Sequence, residues 1–117
     1  MGVRSRAFVI QVFQMPNDDY TTIYTCPAGR TAIIKELSVQ NMSGRALGMG
    51  LGLRRGVQTV QLEWTSGVAS QSGLRWRGAF HVLQSGDQLL VYQWSTTNAA
   101  ANVQVAVSGA LLIGDPI

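Results

Sequence analysis

Tyr20-Thr21-Thr22-Ile23-Tyr24-Thr25, then Cys26-Pro27-Ala28-Gly29, then Arg30-Thr31-Ala32-Ile33-Ile34-Lys35-Glu36-Leu37-Ser38-Val39-Gln40 is the segment on which the fold turns. β-Branched and aromatic residues crowd both flanks, as they do in strands. Between them, Pro27 presets one turn position and Gly29 supplies the positive φ that follows it. The spacing predicts a hairpin, with a short strand over Tyr20–Thr25 and a long partner over Arg30–Gln40. Strict alternation puts Ile33, Leu37 and Val39 on one face beside Lys35, and Ala32, Ile34, Glu36 and Ser38 on the other.

The same period of two runs outward in both directions. Upstream, Phe8, Ile10 and Val12 alternate with Val9, Gln11 and Phe13, and Pro16-Asn17-Asp18-Asp19 ends the strand with turn chemistry. Downstream, Asn41-Met42-Ser43-Gly44 closes the long strand, and Leu47, Met49, Leu51 and Leu53 then alternate with Gly48, Gly50 and Gly52. Glycine inside a strand marks a bend, a bulge or a close backbone approach, so the bare face of this strand is a candidate partner surface. Val57 to Thr65 alternates again and gives way to a small-residue loop over Ser66–Gly73. Leu74, Trp76, Phe80 and Val82 are set opposite Arg75, Arg77 and His81, with Gly78 as a candidate bulge. After the turn Gln84-Ser85-Gly86-Asp87 come a strand over Leu89–Trp94, a loop over Ser95–Asn102 and a last strand from Val103 to Ile113. Turn signals about every ten residues and no helical period predict an all-β fold: an antiparallel β-sandwich of about eight strands, jelly-roll-like. The chain reads as one domain over 1–117, with ends at 1–5 and 114–117 expected to be mobile or to reach a neighbour.

Of the 117 residues, 46% are hydrophobic and only 13% are charged, against about 25% in ordinary soluble domains. A surface so poor in charge is expected to be covered. A transmembrane reading fails, because every apolar run is broken by Arg, Gly, Gln or Asp far short of the ~20 residues a spanning helix needs. The stretch Met1 to Gln14 lacks the apolar core and cleavage site of a secretory signal, which predicts synthesis in a cytoplasm. Nine basic residues stand against six acidic ones, and Lys35 is the sole lysine. Arginine suits bidentate interface pairing better than mere solvation.

The chain is poor in catalytic chemistry. Cys26 and His81 are the only residues of their types, so neither an intrachain disulfide nor a Cys/His zinc site can form. Cys26, just before Pro27, reads as a packed residue at a strand end, and His81 as a half-exposed strand residue beside Arg75 and Arg77. Of the carboxylates, Asp18, Asp19, Asp87 and Asp115 fall at turns or the tail, and only Glu36 and Glu63 lie in strands. Asn17-Asp18-Asp19 lacks the spacing of a calcium loop. Gly48, Gly50 and Gly52 open no helix and so make no phosphate loop. Asn41-Met42-Ser43 fits a glycosylation acceptor, which matters only in a secretory compartment. The expectation is a non-enzymatic protein without cofactor or metal.

Two binding alternatives remain. Arg54-Arg55 and Arg75-Trp76-Arg77 mix basic and aromatic residues as nucleic-acid-binding sheets do. A net charge of +3 gives that reading little electrostatic drive, and Trp76 alternates away from its flanking arginines. Tyr20, Tyr24, Trp64, Trp76, Tyr92 and Trp94 are enough aromatics for a glycan- or cell-surface-binding platform, although most are expected in the core. Buried tryptophans would favour a scaffold, and exposed ones in a groove a sugar site.

Tyr24-Thr25-Cys26-Pro27-Ala28-Gly29 and the long strand to Asn41-Met42-Ser43-Gly44 resemble a recurring stretch of small β-sandwich proteins in tailed-bacteriophage virions. There a Tyr-x-x-Pro-Ala-Gly turn leads into an apolar strand ending in Asn and small residues. Val82-Leu83-Gln84-Ser85-Gly86-Asp87-Gln88-Leu89 and Val103-Gln104-Val105-Ala106-Val107-Ser108-Gly109 look like the later part of the same pattern, and Cys26 departs from its usual apolar residue. The resemblance implies a capsid decoration subunit, or a tail or head–tail accessory subunit. Such a protein would be made in the host bacterial cytoplasm, self-associate as a trimer or ring, and dock on major capsid or tail proteins. Arg54, Arg55, Arg75, Arg77, Gly48, Gly50 and Gly52 are the candidate interface, with Arg75 and Arg77 expected to pair with a neighbour's carboxylates.

Overall fold

The computed structural model describes residues 6–96 and 99–113, with the side chains of 6, 77–80 and 113 outside that description. Eight strands fill it: β1 (Arg6–Met15), β2 (Asp19–Thr25), β3 (Arg30–Asn41), β4 (Leu47–Arg55), β5 (Gln58–Val68), β6 (Gly73–Leu83), β7 (Gln88–Trp94) and β8 (Ala101–Ile113). They form two four-stranded antiparallel sheets, ordered β1-β8-β3-β6 and β2-β7-β4-β5. Seven connections join the eight strands, and only the one from β4 to β5 stays between neighbours of one sheet. This is the interleaved order of a jelly roll, as the strand pattern predicts. No helix among the described residues is long and apolar enough to cross a membrane.

The hairpin expected at Cys26–Gly29 is not there. β2 pairs with β7, whereas β3 pairs with β8 and β6 in the opposite sheet. The turn chemistry is as expected, with Gly29 at φ 71° and the Arg30 N–H donating to Pro27 O at 3.2 Å. Its backbone bonds elsewhere: the Cys26 N–H donates to Asp87 O and the Gly86 N–H to Cys26 O, tying the turn to the β6–β7 turn. The true hairpin is at Gly56-Val57, where Gly56 has φ 60° and Arg55 faces Gln58. Glycine with positive φ at the first central position suits a two-residue turn that matches strand twist.

Strict alternation also fails midway along β3. Ala32 and Ile34 are buried, but so are Leu37, Val39 and Asn41, because the register shifts between Ile34 and Glu36. A bulge at this point turns the strand over, so both halves present their apolar set to the core. The same irregularity runs through β6, where Glu36 faces Arg77 and Ile34 faces His81. Leu83 is therefore buried, Val82 points outward, and His81 lies on the opposite side from Arg75. β8 needs no such correction: Val103, Val105 and Val107 are buried between exposed or half-buried Asn102, Gln104 and Ala106.

The core joins these residues to Met15, Ile23, Leu47, Met49, Leu51, Leu89 and Val91. Each such side chain contributes about 1.5–3 kcal/mol by leaving water. On one flank of the sandwich β1 and β2 are bridged by Phe8 stacked on Tyr24, with ring centroids 4.9 Å apart. At one end, side chains knit four loops together. The buried Asn41 amide donates to Arg45 O, Val68 O and Ala69 O, and its Oδ1 accepts from the Ser43 N–H and hydroxyl. The Arg45 guanidinium donates to Ser95 Oγ and to the carbonyls of Ala99 and Ala100, while Asn17 Oδ1 accepts the Ser95 N–H.

Candidate functional site

The outer face of the β2-β7-β4-β5 sheet is built around the glycines of β4. Leu47, Met49 and Leu51 point into the core, which leaves Gly48, Gly50 and Gly52 facing outward. They do not lie bare. The Trp64 indole lies across Gly48 and Gly50, so that a Cβ on Gly48 would meet Trp64 Cη2 at 2.6 Å, and Tyr20 lies on Gly52, where a Cβ would meet Cε1 at 2.6 Å. The expectation that these glycines themselves meet a partner is thus corrected: rings of the same chain occupy the space their missing side chains leave. Cross-strand pairing supplies the reason, because Trp64 is directly opposite Gly50 on β5 and a large ring needs a place without a Cβ to lie down.

Tyr92 completes the layer, edge-on to Tyr20 at 5.2 Å and to Trp64 at 5.5 Å between ring centroids. Its hydroxyl donates to the Asp18 carboxylate in the β1–β2 turn. Trp94 stands opposite Gly48 on the other side of β4. Leu90, opposite Gly52, is fully buried although it lies outside the sandwich core. Trp64 is 44% exposed and Trp94 42%. Trp76 packs half-buried against the core, so of the three tryptophans only it follows the expectation of burial between the sheets.

Three of the four candidate arginines are engaged within the chain. Arg55 Nε and Nη2 grip both oxygens of Asp87 at 2.6–3.1 Å, and Asp87, itself buried, also accepts the Gln84 N–H at 2.9 Å. The side-chain hydrogen bond from Arg55 is the main cause holding the Asp87 carboxyl below its ordinary range, and the same bond raises the Arg55 guanidinium. Arg54 donates to Thr59 Oγ1 and Gln88 Oε1. Arg75 Nε lies 3.8 Å from Glu36 Oε1, so this chain supplies the carboxylate expected from a neighbour. The Arg77 side chain lies outside the described residues. Arg54 and Arg55 belong to one sheet and Arg75 to the other, which leaves no single track of these basic groups for a nucleic-acid backbone to follow.

Cys26 is buried, its thiol directed at the carbonyls of Arg30 and Leu83 at 3.4 and 3.6 Å. Among the described residues no three His, Cys, Asp or Glu side chains group as metal ligands. A feature that the sequence reading passed over is β5. All its residues from Gln58 to Gly67 are exposed, although they pair along β4, with register shifts between Leu47 and Met49 and between Leu51 and Gly52. Val57 is 97% and Val60 52% exposed, and Leu62 shares the strand with Trp64. On the other sheet, Ile10 is 73% exposed on edge strand β1, and Val12 lies open beside it.

No protein-family model matches the chain, and no curated protein does. Solved structures do. A chain from infectious bursal disease virus, Gx strain, superposes with a TM-score of 0.61 at 14% identity, covering 97% of this chain and 32% of that one. The Gt strain of the same virus gives 0.60 at 12% identity, over 96% of this chain and 33% of that one. The likeness is one of fold. A subunit of Bacillus endospore appendages, described as forming disulfide-linked pili, gives 0.58 at 12% identity, over 97% of this chain and 89% of that one. The chain therefore spans about a third of the viral chains and nearly the whole of the appendage subunit.

Proposed function

We propose that this chain is a non-enzymatic structural subunit of a virus particle, one that self-associates and docks on other virion proteins. The observation that carries the proposal is the outer surface. Trp64, Trp94, Val57, Val60, Ile10 and Val12 stand in the open on a chain with 13% charged residues. Apolar side chains exposed together, as Trp64 and Trp94 are about Gly48, mark an interaction surface. The shared fold with chains of a virus and of a pilus-forming appendage supports an assembling subunit. The tailed-bacteriophage resemblance from Tyr24 onward supports the finer reading of a capsid decoration or tail or head–tail accessory protein. Assembly here proceeds without a disulfide, because Cys26 is the sole cysteine and is buried. Light scattering at micromolar concentration should show an oligomer, and mass spectrometry should find the chain in purified particles. A monomer that is missing from the particles defeats the proposal.

The outward pair Trp64 and Trp94 favours a second reading, a glycan-binding face in which sugar rings stack on the indoles beside Tyr92 and Gln61. Titration with bacterial surface oligosaccharides, followed by tryptophan fluorescence, separates the two. Saturable quenching that is lost in Trp64→Ala supports the glycan site, and an unchanged spectrum rejects it.

A further inference from the structure

We propose that the hollow beside Trp64 takes an uncharged hexopyranose of a surface glycan, and that a bulge at Leu62 builds it. This rests on the glycan reading above and names its ligand class and its polar contacts.

In a plain strand Gln61 and Trp64, three residues apart, point to opposite faces. The register of β5 on β4 shifts between the Gly52–Gln61 and Leu51–Glu63 pairs, so Leu62 is the extra residue and both side chains come out on the same face. A Cβ on Gly50 would meet Trp64 Cε3 at 3.1 Å and Gln61 Nε2 at 3.3 Å, which sets the amide at the edge of the indole. The six-membered ring of that indole lies on Gly48 and Gly50, and its other face is turned to solvent. Gln61, Trp64 and Tyr92 line a hollow of about 400 Å³. Beyond it the Tyr92 hydroxyl donates to the carboxylate of Asp18, whose backbone is left-handed at φ 57°. A bulge and a left-handed residue, both locally costly, thus converge on one face.

These groups select the occupant. A pyranose has a face of C–H groups to lie on the indole and a rim of hydroxyls to bond the Gln61 amide and the Asp18 carboxylate. An apolar protein side chain set there would leave both unpaired. Charge then narrows the class. Asp18 beyond Tyr92 and Glu63 in the adjoining hollow are acidic, and among the described residues neither hollow is lined by Lys or Arg. Arg54, on the same face, lies past Tyr20 and donates to Thr59 and Gln88. Uronic and sialic acids meet like charge here and are excluded. Self-association keeps Ile10 and Val12, which stand on the opposite sheet.

The test is an array of neutral and acidic bacterial surface glycans, followed by fluorescence titration with the strongest neutral hit. Neutral glycans alone should bind, and Gln61→Ala, at an exposed position, should weaken them about tenfold through lost hydrogen bonds. Asp18→Asn combined with Glu63→Gln should admit the uronic-acid counterpart of the same sugar; asparagine accepts the left-handed backbone and Glu63 is exposed, so the fold persists. Acidic glycans among the wild-type hits, or a double variant that still excludes them, overturn the charge selection. Full binding by Gln61→Ala overturns the bulge-built contact, and in each of these cases a glycan site on Trp64 stands. An array without hits overturns the glycan reading as well.

Discussion

Substituting Gly48 by alanine puts the packing of the outer face to a quantitative test. The new methyl would sit 2.6 Å from Trp64 Cη2 and 2.7 Å from Cζ2, closer than non-bonded carbons can stay, so the indole must lift. Trp64 is 44% exposed, which leaves 56% of an aromatic surface of about 200 Å², or about 110 Å², held against the sheet. At about 25 cal/mol per Å² that contact contributes about 3 kcal/mol, which sets the ceiling on the loss if the ring is expelled completely. A partial shift costs about 1–3 kcal/mol, the usual range for overpacking. In a Trp64→Ala background the clash is gone, and Gly48→Ala should instead stabilise by about 0.5–1 kcal/mol, because alanine is the better strand residue. The coupling between the two sites, read from urea midpoints in a double-mutant cycle, is therefore about 1.5–4 kcal/mol. The emission of Gly48→Ala should also move to the red as the indole meets water. Equal destabilisation by Gly48→Ala in both backgrounds would refute the account, since Trp64 would then not be what the methyl meets.

Three further outcomes follow from the same geometry. The folded-state pKa of Asp87 is lowered by Arg55, so the unfolded chain binds the extra proton, and the pair stabilises the fold above the ordinary carboxylate value of about 4. That contribution should fade as pH falls through the lowered folded value, and the urea midpoint of Asp87→Asn should vary less with pH across this acid range than that of the wild type. Gly109→Ala should cost more than about 3 kcal/mol or abolish soluble expression, because its Cβ would lie 1.9 Å from the Ile33 carbonyl oxygen, a backbone atom that cannot swing aside. Asn41→Ala removes the two amide N–H donors shared among the carbonyls of Arg45, Val68 and Ala69 and should cost about 2 kcal/mol at about 1 kcal/mol each. Hydrogen exchange in this variant should accelerate first in the loops that Asn41 ties together.

The class of fold is legible from the alternation alone, because a period of two survives wherever a strand has one wet face, as β8 does from Ala101 to Gly109. What alternation cannot supply is the partner. Pro27-Ala28-Gly29 announces a reversal of the chain, and nothing local distinguishes a hairpin from a crossing between sheets. The bulge at Lys35 is equally hidden, since Ile33, Ile34, Leu37 and Val39 fit either face until β8 fixes the register. The glycines of β4 did signal a close approach, but the sequence does not say whose side chain approaches. The deciding residue, Trp64, lies across the strand and not beside them in the chain. The arginine pairings were missed for the same reason: Arg55 and Asp87 are 32 residues apart and meet only because β4 and the β6–β7 turn reach one end of the sandwich. The exposure of β5 could have been suspected from Val57 to Trp64, where the apolar residues have no matching interior partner.

The pairing of β1 with β8 alone sets a timetable for biosynthesis. Met15 faces Ala101, so 86 residues separate the nearest partners of the first strand. At about 5–20 residues per second of translation, β1 waits roughly 4–17 s for the strand it needs, with Ile10 and Val12 open to solvent throughout. Among the described pairings, the β4–β5 hairpin at Gly56-Val57 joins the strands that lie closest in the chain. The nascent chain therefore emerges tail-dependent: a ribosome stalled before residue 101 carries a first strand with no place to go.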